Sequence, residues 1–168
     1  VNEVASNAFR NCTNLTRVYL PETVGTIGNF AFANCPNLTS VSFDSNSMLT
    51  EIGNNAFVST GLTSISLPQS LTKIGNYAFH GCDGLTTVTI PDNVTTVGAS
   101  AFGSCSGLKT VSIGKNCTSL GEWCFMECTA LQTVTTYAPT PPATSYYTFR
   151  NNDGFTTATL RMLYSSYD

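Results

Sequence analysis

The sequence predicts an α/β solenoid of six coils, each made of one short parallel strand and one short helical turn. Three observations predict it. Phe recurs at positions 9, 32, 57, 79, 102 and 125, in steps of 23, 25, 22, 23 and 23 residues. Between these aromatics lie short runs that alternate apolar and polar residues, and each run is followed by an apolar–Gly pair. A fixed period of roughly 20–30 residues is the mark of coils that stack on their neighbours, because one such coil cannot bury its apolar side alone.

The stretch LTTVTIPDNVTTVGASAFGSCSGL, from Leu85 to Leu108, serves as the model coil. Leu85, Val88 and Ile90 are apolar, with Thr89 between the last two. That period of two predicts a strand with one face buried. Pro91 ends the ladder because it has no N–H to donate. A second apolar pair follows at Val94 and Val97, and Gly98 is read as a turn. Ala101, Phe102 and Cys105 fall at helical spacing, which predicts one short helical turn before Leu108 opens the next coil.

The same strand core recurs at Leu15-Val18-Leu20, Leu38-Val41-Phe43, Leu62-Ile65-Leu67, Leu108-Val111-Ile113 and Leu131-Val134. The apolar–Gly pair recurs at Ile27-Gly28, Ile52-Gly53, Ile74-Gly75 and Leu120-Gly121, with Val4-Ala5 a degenerate first copy. Two coils depart from the period. Two extra residues lie around Ser45–Leu49, and the coil at Phe57 is one residue short, with Thr60 near the position Cys takes elsewhere. Both predict local bulges.

Composition narrows the function classes. Only 10% of residues are charged, against about 25% in an average soluble domain. The net charge is −3 and the seven Lys and Arg are scattered, so nothing here grips a phosphate backbone and nucleic acid is excluded as an expected partner. No apolar run approaches the ~18 residues that span a bilayer. The chain opens at Val1 in mid-repeat and reads as a piece of a longer protein.

The sequence offers no catalytic set. His80 is the only histidine, is read as outward-facing, and has no nucleophile at a meaningful spacing. No enzyme, cofactor or metal is expected. Five of the seven cysteines share one column, Cys12, Cys35, Cys82, Cys105 and Cys128, while Cys117 and Cys124 replace an inward Val and Ala. All are read as small buried hydrophobes with free thiols, since parallel side chains in stacked coils point alongside one another rather than together. The Asn-x-Thr triplets at Asn11, Asn14, Asn37, Asn93 and Asn116 match glycosylation acceptors, but most fall in register with the repeat, so coincidence is the better reading.

Two surfaces remain as candidates for recognition. The outward strand positions form a face read in pairs: Arg17/Tyr19, Ser40/Ser42, Ser64/Ser66, Thr87/Thr89, Thr110/Ser112 and Thr133/Thr135. Small and β-branched hydroxyl residues suit any exposed strand. They also make a hydroxyl-lined surface for a protein or glycan, and the Arg and Tyr of the first pair are types enriched in interface hot spots. The second surface is an edge two residues before each Phe, where alternate coils carry Phe30, Tyr77 and Trp123. These rings either cover the gaps between coils or form a sticky edge for a partner.

The whole pattern, LxxVxIPxxVxxIGxxAFxxCxxL over residues 1–135, resembles the BspA-like (Treponema pallidum-type) leucine-rich repeats carried by surface proteins of bacteria and some protozoa. That resemblance implies a right-handed leucine-rich-repeat solenoid. It also implies an extracellular or cell-surface location and a non-catalytic, adhesin-like role, contacting host matrix proteins, cell-surface proteins or glycans. The alternatives are a structural spacer within a larger surface protein and a glycan-binding module. Residues 136–168 resemble the family's C-terminal cap, through Ala138-Pro139-Thr140-Pro141-Pro142, Phe149 and a final strand at Ala158-Thr159-Leu160. Met162-Leu163 stands where the family often carries Val-Pro, so the cap reads as incomplete.

Overall fold

The computed structural model describes residues 2–152 and, as a backbone strand, residues 159–162. Every coil contributes strands, and every pairing between them is parallel. The longer set lies on the predicted front face: β2 (Arg17–Leu20), β4 (Ser40–Phe43), β6 (Ser64–Ile65), β8 (Thr87–Ile90), β10 (Thr110–Ile113), β12 (Thr133–Thr136) and β13 (Thr159–Met162). Register follows the repeat, with Val18 opposite Val41 and Val111 between Val88 and Val134.

A second sheet stands where only an apolar pair was expected. It is built from two-residue strands, β1 (Glu3–Val4), β3 (Thr26–Ile27), β5 (Glu51–Ile52), β7 (Lys73–Ile74), β9 (Thr96–Val97) and β11 (Ser119–Leu120). These pair in an unbroken order β1-β3-β5-β7-β9-β11. The glycine that follows the pair opens a turn, with Gly28 O accepting from Ala31 N and Gly98 O from Ala101 N at 3.3 Å, but a tighter constraint requires glycine there. A Cβ on Gly28 or Gly98 would sit 2.5 Å from the backbone of the coil before it, and one on Gly75 would sit 2.7 Å from Gly53. Close approach of two backbones sets this column.

The expected helical turns are absent among the described residues, and the backbone shows why. Residues two before the Phe are left-handed in all six coils: Asn7, Phe30, Asn55, Tyr77, Ser100 and Trp123, with φ from 52 to 62°. Residues two after it, among them Asn34, Gly81 and Asn151, are left-handed as well. A right-handed helix admits no such alternation. The amide hydrogens are spent sideways instead. Phe9, Phe32, Phe57, Phe79 and Phe102 each donate to the carbonyl of the residue before the next Phe, at 2.7–2.9 Å. The turn side is thus a third ladder between coils, which offsets the roughly 1–2 kcal/mol that each left-handed non-Gly residue costs.

The Phe rings fill the centre. From Phe9 through Phe32, Phe57, Phe79, Phe102, Phe125 and Phe149 they stack with centroids 5.2–5.6 Å apart and planes within 3–8°. Beside them runs an asparagine ladder: Asn29 Oδ1 accepts from Asn54 N, Asn54 Oδ1 from Asn76 N, and Asn76 Oδ1 from Ala99 N, at 2.7–2.8 Å.

The front sheet is interrupted next to the two irregular steps. β6 is only two residues long, pairs with β4 through Ser64 and Ile65 alone, and has no ladder to β8. The front therefore consists of a three-stranded plate, β2-β4-β6, and a four-stranded one, β8-β10-β12-β13. The described part of 136–168 carries ordinary coil positions in place of a distinct cap. Ala143 bridges to Ser119, Phe149 stacks on Phe125, and β13 lies in register with β12. Ala158, assigned to the last strand, lies outside the described residues.

Candidate interaction surface

Strand alternation turns every second side chain of the front strands outward, and parallel register brings the predicted residues into two rows. Arg17, Ser40 and Ser64 align across the first plate, with Tyr19 beside Ser42. Thr87, Thr110 and Thr133 align across the second, as do Thr89, Ser112 and Thr135. Ser66 lies just past the end of β6. The residues from Arg17 to Thr89 are exposed, whereas Thr110, Ser112, Thr133 and Thr135 are half-buried. The face is thus divided, and its first plate is the more open.

One member of that plate has a polar partner that the repeat pattern does not reveal. The Tyr19 hydroxyl donates to Asp44 Oδ2 at 2.8 Å, and the Asn46 amide donates to Asp44 Oδ1 at 2.8 Å. The Asn46 N–H, then the Tyr19 hydroxyl, hold the Asp44 carboxyl below its ordinary range, and the same contact raises the Tyr19 phenol. The Tyr19 ring remains 61% exposed. Asp44 opens the inserted segment, so the signal for it was the insertion itself. Where that segment faces coil 4, residues 43–47 and 66–70 enclose a groove of about 530 Å³.

The three predicted edge aromatics do not form a continuous stripe. Arg10 lies over the Phe30 ring at 5.1 Å, Tyr77 meets His80 edge-on at 5.6 Å, and Trp123 leans on Tyr147 at 6.3 Å. Each holds a left-handed backbone position, and each is separated from the next by Asn55 or Ser100. Sequence reasoning passed over Tyr146, the most exposed ring among the described residues, which is 89% exposed and packs edge-on against Tyr147. Tyr146 falls after the Pro-rich break, where no repeat register marks it.

His80 is half-buried, with Nδ1 3.1 Å from Ser100 Oγ, and burial lowers its pKa. Ser100 is itself buried.

All seven cysteines are free. Burial pushes the thiols of Cys82 and Cys128 up to about 11 and about 12. They are more than small hydrophobes, because Sγ of Cys35, Cys82, Cys105 and Cys128 each donates to the Phe carbonyl of the preceding coil at 3.1–3.2 Å. Asn152 fills the same role with Nδ2, 2.9 Å from the Phe125 carbonyl. Two of the glycosylation-like asparagines are likewise engaged: Asn37 Nδ2 donates to Thr13 O and Asn93 Nδ2 to Gln69 O, both at 2.7 Å. A glycan on either nitrogen would have to replace that contact between coils.

Parallel coils about 23 residues apart, a leucine column, and a displayed front face define a leucine-rich-repeat solenoid. A family model described as the BspA type leucine rich repeat region matches residues 2–132 and 50–163, in six copies, and the chain belongs to this family. A leucine-rich-repeat protein of T. pallidum is 36% identical, with a TM-score of 0.74 over 80% of this chain and 62% of its own. One from Bacteroides ovatus is 33% identical, with a TM-score of 0.81 over 89% of this chain and 38% of its own. A leucine rich cell surface protein from Faecalibacterium prausnitzii is 32% identical, with a TM-score of 0.64 over 85% and 45%. The chain therefore spans less than two thirds of each of these relatives. No curated protein matches it. Among the described residues no helix is long and apolar enough to cross a membrane.

Proposed function

We propose that this chain is a non-catalytic interaction module of a cell-surface protein, binding host proteins or other cells through its front face. The observation that carries the reading is the aligned outward row of the first plate, where Arg17 and the anchored, exposed Tyr19 adjoin small hydroxyl residues. Such a surface offers a rigid aromatic and a guanidinium, two side-chain types enriched among interface hot spots. The surface location rests on the family and on the description of the F. prausnitzii relative. The division into 1–135 and 136–168 is part of the same reading: the second segment continues the stacking and is marked off by the change from repeat to Pro139, Pro141 and Pro142.

The test is surface binding of the chain to panels of host matrix proteins and whole cells, beside an Arg17→Ala/Thr87→Glu variant that alters both plates. Binding that this variant loses supports the face. Binding that it keeps moves recognition elsewhere on the chain, and no binding at all favours a spacer.

A further inference from the structure

We propose that the groove between coils 3 and 4 is a saccharide-binding site. It lies where the two extra residues fall after Phe43, beyond the end of the β4–β6 pairing at Val41 and Ile65. The space left over, about 530 Å³ between residues 43–47 and 66–70, falls within the roughly 300–1,000 Å³ of small-ligand sites.

Its chemistry suits a neutral polyhydroxyl ligand. Asp44 is the only charged residue on its wall, joined by Asn46, Ser47, Ser66 and Gln69. A carboxylate accepts from paired hydroxyls, and a side-chain amide both donates and accepts. The two Asp44 oxygens are already aimed by the Asn46 amide and the Tyr19 hydroxyl, and each retains a further lone pair. Tyr19 stands outside these walls and acts on the site only through its hydroxyl, which holds the Asp44 carboxylate in place. One carboxylate is too few for a calcium cage, which takes about six to eight oxygens, and an anionic ligand would meet like charge.

The site is separable from the front-face reading, because Ser66 is the one lining residue that the two share. The experiment is an amide-shift titration of the isotope-labelled chain with the methyl glycosides of glucose, galactose, mannose and N-acetylglucosamine, and with a basic peptide. The expected result is saturable shifts centred on residues 44–47 and 66–70 with at least one glycoside. Asp44→Asn should then weaken binding about tenfold, the scale of one charged hydrogen bond. Gln69→Ala, which leaves the Tyr19–Asp44 contact intact, should also weaken it, and Arg17→Ala/Thr87→Glu should not. Groove shifts with the peptide alone, no groove shifts with any glycoside, or full affinity in both groove variants would each overturn the proposal.

Discussion

The Cys105 thiol donates to the carbonyl of Phe79, 3.1 Å away in the preceding coil. The same bond repeats at Cys35, Cys82 and Cys128, and Asn152 copies it with an amide. The column therefore selects a compact buried donor. Cys105→Ala should lower unfolding free energy by about 1–3 kcal/mol, combining a small cavity with a lost bond. Cys105→Ser, which keeps a donor, should cost less. Urea unfolding midpoints decide it, and a Ser variant weaker than the Ala variant would show that packing alone governs the site.

Two glycines should respond to alanine for opposite reasons. At Gly75 the backbone is not left-handed, but a Cβ would meet Gly53 C at 2.7 Å and Asn54 N at 2.8 Å. Coils must part to admit it, so Gly75→Ala should cost about 3 kcal/mol or more. At Gly81 φ is +68° and the nearest atom to a Cβ is 3.5 Å away. Gly81→Ala should cost only about 1–2 kcal/mol, the left-handed penalty. Thermal melting of the pair should rank them in that order.

Thiol reactivity should follow burial. Six cysteines are buried and only Cys12 is partly open. Burial also raises Cys82 and Cys128 to about 11 and about 12, which leaves almost no thiolate near neutral pH. Titration with a thiol reagent at pH 8 should label at most Cys12 in the native protein and all seven in denaturant. A count below seven after unfolding would mean that a disulfide had formed.

His80 should make stability depend on pH below neutrality. Burial lowers its pKa from the ordinary 6.5, so the folded protein prefers the neutral ring and the unfolded chain binds the proton more readily. The contribution is complete above 6.5 and declines as pH falls through that value toward the folded pKa. Unfolding midpoints between pH 7.5 and 5 should fall, and His80→Gln should flatten that part of the profile. An unchanged slope in the variant would assign the dependence to the carboxylates.

The sequence by itself determined the coil. Phe at a near-constant step, the Leu-x-x-Val strand core and the small residue before each Phe required stacked, parallel coils. They also fixed which strand residues point outward, because a period of two and a period of 23 leave one register that buries Leu38, Val41 and Phe57 together. The insertion at Ser45–Leu49 was visible as an interrupted step, though not what it builds.

Tertiary structure decided what local pattern leaves open. Ala101, Phe102 and Cys105 have helical spacing, yet the Phe102 amide goes to Cys124 of the next coil. Apolar spacing reports which side chains turn inward, and a helix and a left-handed-flanked turn bury the same ones. The column of Gly28, Gly53 and Gly75 looks like turn chemistry alone until the neighbouring backbone is in place. Tyr19 meets Asp44 across 25 residues and His80 meets Ser100 across 20. Those contacts exist only because stacking, driven by burial, brings separate coils within hydrogen-bond range.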